Sequence, residues 1–161
     1  MTNTDALYQE IILEHNRKPR NFREMPDANR TVEGRNPLCG DALTLWMKVS
    51  GDENADVSFK GQGCAISKAS ASLMTSAVKG KTRAEAQELF DQFHQLVTGK
   101  LAESDQKSLG SLRAFAGVAR FPLRVKCASL AWHAMRSALA GDAQTVSTDD
   151  PEHGGPLTEG A

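Results

Sequence analysis

Leu43, Leu45, Met47 and Val49 alternate with Thr44, Trp46 and Lys48, the period-two pattern of a half-buried strand. Val57 and Phe59 repeat the alternation against Ser58 and Lys60, and the run Gly51-Asp52-Glu53-Asn54 supplies a turn between the two stretches. The pattern therefore predicts an antiparallel hairpin. Residues 31–34 read as a further short strand, while residues 19–30, a mixture of Pro, Asn, Asp and Arg, read as a loop. Elsewhere the helical period takes over. Leu7, Ile11 and Ile12 recur around Tyr8 behind a possible Thr4 cap, predicting a helix over 4–16 that stops at Lys18-Pro19. Residues 65–79, rich in Ala and Ser, predict a second helix closed by Gly80. Thr82-Arg83-Ala84-Glu85 fits a capping box ahead of the stripe Ala86, Leu89, Phe90, Phe93, Leu96 and Val97, which ends at Gly99. A polar loop is expected over 100–110, then a short apolar helix through Leu112, Phe115 and Val118. The last helix opens at Phe121-Pro122 and stops at Gly141.

Composition bounds what such a chain can be. At 161 residues it fits one domain with a core of its own, and its 40% hydrophobic and 24% charged residues are ordinary for a soluble protein. No apolar run approaches the roughly 20 residues of a membrane helix. The first ten residues are polar and acidic, unlike a secretory or transit peptide, so a cytoplasmic location is expected. A net charge of −1 lacks the basic footprint of a nucleic-acid binder. Beyond Gly141 the chain carries Asp142, Asp149, Asp150, Glu152 and Glu159 without Lys or Arg. We therefore expect a domain over 1–141 and an acidic, disordered tail over 142–161.

Three cysteines, Cys39, Cys64 and Cys127, cannot all pair into disulfides, and a reducing compartment would keep them as thiols. Composition alone would allow three inert buried thiols. Position argues otherwise, because each lies in a glycine-containing segment or at the end of a predicted element, where ligands project and backbone approaches closely. Asp41 opens the predicted hairpin and Cys64 follows its end, so the two should be neighbours in space. Cys64 also falls at a helix N-terminus, which favours a thiolate. Three thiolates and a carboxylate suit zinc or an iron-sulfur cluster. Around a divalent ion they leave an excess of negative charge, for which Lys126, beside Cys127, is the candidate counter-charge, while Arg35 and Lys68 are expected to be solvated. The histidines His15, His94, His133 and His153 are expected to be structural or solvated, with none a ligand.

The segments Leu7-Tyr8, Lys18-Pro19-Arg20-Asn21, Asn36-Pro37-Leu38-Cys39-Gly40-Asp41, Gly61-Gln62-Gly63-Cys64-Ala65-Ile66-Ser67 and Val125-Lys126-Cys127-Ala128 resemble the IscU and NifU N-terminal family of iron-sulfur cluster assembly proteins. Where IscU-type scaffolds carry a histidine before the third cysteine, this chain has Lys126, and the long spacing from Cys64 to Cys127 also resembles the SufU branch. The resemblance implies an α+β fold with a small antiparallel sheet of about three strands packed by helices. It further implies zinc on Cys39, Asp41, Cys64 and Cys127, and a sulfurtransferase whose Cys39 accepts persulfide sulfur from a SufS-type cysteine desulfurase. Downstream iron-sulfur assembly proteins would be further partners. The alternative is a scaffold on which a [2Fe-2S] cluster is assembled.

Overall fold

The computed structural model describes residues 3–37, 40–141 and 145–147. Helix α1, Asn3–Arg17, is followed by strands β1, Arg30–Asn36, β2, Asp41–Ser50, and β3, Glu53–Gln62. Helices α2, Ala65–Val78, and α3, Arg83–Val97, then lead into a 3-10 segment, Glu103–Arg120. Helix α4, Pro122–Ala140, and a short strand β4, Thr145–Ser147, complete the described chain. The sheet order is β3-β2-β1-β4, antiparallel among β1, β2 and β3 and parallel between β1 and β4. The predicted hairpin is present with Leu45 opposite Phe59 and Met47 opposite Val57. The short strand expected over 31–34 is longer at both ends. Within 142–161, expected to be an unstructured tail, Thr145–Ser147 pairs with β1 at Glu33, Gly34 and Arg35; the rest of that stretch lies outside the described residues.

The pleat decides which side chains reach the interior. Along β2, Asp41, Leu43, Leu45 and Met47 are buried in strict alternation, and along β1 the same holds for Val32, Gly34 and Asn36. Both buried rows therefore end in a polar residue at the same end of the sheet, since Asn36 pairs with Asp41. Helices α2 and α4 cover this face. Helix α4 is buried on nearly every side, from Cys127 through Met135 and again over Ser137, Ala138 and Leu139, which marks it as the central element of the core.

Two expectations about helices are resolved by side-chain contacts. The capping box is complete, with Thr82 accepting from the Glu85 amide and Glu85 accepting from the Thr82 amide. Residues 103–110, expected as a loop from their polarity, belong instead to the 3-10 segment, which comprises two helical pieces meeting at Gly110 with φ 57°. The physical reason lies in its apolar positions. Leu109 anchors the first piece and, beyond the Gly110 break, Leu112, Phe115 and Val118 recur every third residue on the second, all four buried, matching three residues per turn rather than 3.6. Among the described residues no helix is long and apolar enough to cross a membrane.

Candidate metal centre

Three elements meet where the two buried rows end. The start of β2 delivers Asp41, the exit of β3 delivers Cys64 as the N-cap of α2, and the second turn of α4 delivers Cys127. One ligand atom from each lies within 4.8 Å of the other two. Two ligand bonds of about 2.0–2.3 Å meeting at a tetrahedral angle span about 3.3–3.8 Å, and Asp41 Oδ2 and Cys64 Sγ stand 3.8 Å apart. Neither Cys64 nor Cys127 is in a disulfide among the described residues, and Asp41 and Cys127 are 2% and 3% exposed while Cys64 is open to solvent. Sulfur and carboxylate oxygen, assembled without a disulfide, form a donor set for a borderline-soft cation.

Local geometry keeps these groups apart in role. The Cys64 backbone amide donates to Asp41 Oδ1 at 2.9 Å, while Asp41 Oδ2 lies 3.8 Å from Cys64 Sγ. The Ser67 amide donates to Cys64 Sγ at 3.4 Å, the helix-terminus placement that the sequence predicts. Gly63 permits this closeness. Its φ is +156°, and a Cβ there would stand 2.9 Å from Asp41 Cγ. Asn36, fully buried, donates from Nδ2 to Cys127 Sγ at 3.6 Å. Gly63 and Asn36 are both contained in the segments that carry the family resemblance, yet pattern alone assigns neither a role.

The Cys64 thiol is lowered to about 6 from an ordinary 9.0, chiefly by the hydrogen bond from Cys127. The Ser67 and Ile66 amides act in the same direction, against partial burial and the negative charge of Asp41. Because the folded value is depressed, the stability this thiolate contributes is complete only above the unfolded value near 9 and is lost as pH falls through about 6. Alkylation of the metal-free protein by iodoacetamide, followed peptide by peptide by mass spectrometry, is expected to show a half-maximal Cys64 rate near pH 6. In denaturant the midpoint should return towards 9.

Other expected residues sort cleanly. Lys126 is half-buried beside Cys127 and forms no ion pair with Asp41 or Cys64 among the described residues. Arg35 pairs with Glu33 at 3.6 Å, and the Lys68 ammonium lies over the Phe22 ring. No histidine joins the cluster among the described residues: His15 bonds Ser72 Oγ at 2.7 Å, while His94 and His133 pack against Phe90. Cys39, the remaining candidate ligand, and His153 lie outside the described residues. The centre opens into a groove of about 710 Å³ between α1 and the start of α4, with Tyr8, Ile12, Phe121 and Leu123 on its walls and Cys64 and Cys127 at its edge.

The NifU-like N-terminal domain family matches residues 7–140. The chain belongs to that family. Within it, the chain is 42% identical over 138 residues to the zinc-dependent sulfurtransferase SufU of Bacillus subtilis, covering 86% of this chain and 92% of the relative. It is 38% identical over 150 residues to the iron-sulfur cluster assembly scaffold protein IscU of Streptococcus pyogenes, covering 93% of each. A crystal structure of an assembly scaffold protein for the SUF system from Fervidobacterium islandicum superposes with a TM-score of 0.76 at 35% identity, covering 83% of this chain and 97% of that one. The α+β architecture expected of the NifU-like family, an antiparallel sheet packed by helices, is the one observed.

Proposed function

We propose that this protein is a zinc-dependent sulfurtransferase that takes persulfide sulfur from a SufS-type cysteine desulfurase and passes it into iron-sulfur cluster assembly. The observation that carries the reading is the convergence of Asp41, Cys64 and Cys127 within 4.8 Å at the edge of an open groove. Cys39, two residues before Asp41 in the chain, is the fourth ligand in this reading and the sulfur acceptor. Zinc, when bound, keeps these thiols in the thiolate form near neutral pH and protects them from oxidation. Asp41 and Cys64 hold their places through the hydrogen bond that the Cys64 amide donates to the Asp41 carboxylate. Lys126 offsets part of the excess negative charge.

In the transfer, the Cys39 thiolate attacks the outer sulfur of the desulfurase persulfide. A new sulfur–sulfur bond forms on Cys39, the persulfide bond breaks, and the desulfurase cysteine departs as a thiolate with the electron pair. The exposed Leu123 and Phe121, 50% and 45% accessible beside the thiols, leave a route for a partner side chain. Such chemistry belongs in a reducing compartment, which supports a cytoplasmic location.

Desulfurase turnover, measured with metal analysis for wild type, Cys39→Ser and Asp41→Ala, tests the reading. Wild type is expected to carry zinc and to raise turnover several-fold, and folded Cys39→Ser to return it to the unstimulated rate. Full stimulation by folded Cys39→Ser would remove Cys39 as acceptor. The scaffold reading, favoured by the likeness to IscU relatives, requires iron and acid-labile sulfide in the isolated protein in place of zinc.

A further inference from the structure

Asn36 is 0% exposed at the last position of β1, in the same inward row as Val32 and Gly34. The pleat thus places an amide where the apolar pattern would put a branched aliphatic side chain. Buried amides ordinarily satisfy both ends. Here Nδ2 reaches Cys127 Sγ at 3.6 Å, across 91 positions of sequence, whereas Oδ1 has no hydrogen-bond partner among the described residues. An unpaired buried carbonyl works against stability, so fold strength does not account for the residue.

The neighbouring donors show what the amide supplies. Asp41 receives the Cys64 amide and Cys64 receives the Ser67 amide. Cys127 sits in the second turn of α4, beyond the first-turn amides left free at a helix start, and is 3% exposed. As a metal ligand Cys127 is a thiolate and can only accept, which orients the NH2 end of Asn36 towards it. We propose that Asn36 is a positioning residue of the metal centre, its side-chain N–H holding the Cys127 sulfur towards Asp41 and Cys64 and drawing off part of its charge. Partners of this kind fix ligand orientation and tune affinity. The inference rests on the metal reading proposed above but assigns a part to a residue outside the ligand set.

Two measurements test it. In wild type loaded with the NMR-active spin-half isotope of cadmium, isotope-labelled Asn36 side-chain amide protons are expected to show scalar coupling to the metal through the sulfur. Bound cadmium without that coupling overturns the inference and leaves the metal reading standing; failure of cadmium to bind removes both. Asn36→Leu keeps the volume and removes the donor. Zinc affinity, read by competition with a chromophoric chelator, should fall about 10–100-fold, while the metal-free protein melts no lower than wild type. A structural role would give the reverse, a lower melting temperature of the metal-free protein with unchanged affinity in the folded fraction, and would overturn the proposal.

Discussion

Gly63→Ala is expected to weaken zinc binding sharply and to destabilise the metal-free protein. The added methyl meets the Asp41 carboxylate directly, with Cγ 2.9 Å and Cβ 3.1 Å away, at a backbone φ of +156° that side chains other than glycine rarely adopt. Relief requires Asp41 to withdraw, and withdrawal breaks the 2.9 Å bond from the Cys64 amide. Loss of a hydrogen bond to a charged acceptor costs about 1.5–3 kcal/mol, and backbone strain of this kind adds about 1–3 kcal/mol. Denaturant midpoints of the metal-free proteins and chelator competition for zinc measure the two effects. Gly80→Ala is the comparison, because Gly80 has φ +82° but open space around the missing Cβ. It should show strain alone and retain zinc affinity. Equal zinc affinity for wild type and Gly63→Ala would show that Asp41 does not depend on the glycine for its place.

Trp132→Ala is expected to be the most damaging substitution away from the ligands. Its ring is 1% exposed, stacks on Phe93 at 4.5 Å, and donates from Nε1 to Ser70 Oγ at 3.2 Å. Ser70 in turn donates to the Ala128 carbonyl at 2.6 Å, one residue after Cys127. The indole thus ties α2, which Cys64 caps, to the turn of α4 that carries Cys127. Truncating a buried tryptophan costs about 3–5 kcal/mol. Thermal unfolding should register that loss, and residual zinc affinity should fall as α2 and α4 lose their shared contact. Trp132→Phe, which keeps the stack and loses only the N–H bond, should recover most of the stability.

How far the sequence could be read follows the range of the interactions involved. Alternation along 43–49 and 57–59 sufficed for the hairpin, and its outer ends placed Asp41 beside Cys64, as the hydrogen bond from the Cys64 amide to Asp41 bears out. The Thr82 capping box was equally legible because all its partners lie within four residues. Residues 103–110 were read as a loop because they are polar and hold a single buried apolar position, Leu109, which shows no period. Cys127 reaches the centre through the packing of α4 on the sheet, a contact that no local period encodes, so residue type and the family resemblance, rather than predicted geometry, linked it to Asp41. Asn36 and Gly63 could be quoted from the sequence but not assigned roles, since one acts across 91 positions and the other through the absence of an atom.

The two oxygens of Asp41 face different neighbours, Oδ1 the Cys64 amide and Oδ2 the Cys64 sulfur. One oxygen is therefore moored to the chain itself, so the other keeps its aim whether or not a cation lies before it. In kinetic terms Asp41 presents that oxygen at a high and constant effective concentration. In the zinc centre proposed above, a ligand of this kind rebinds without searching, so the centre resets without refolding any part of the sheet.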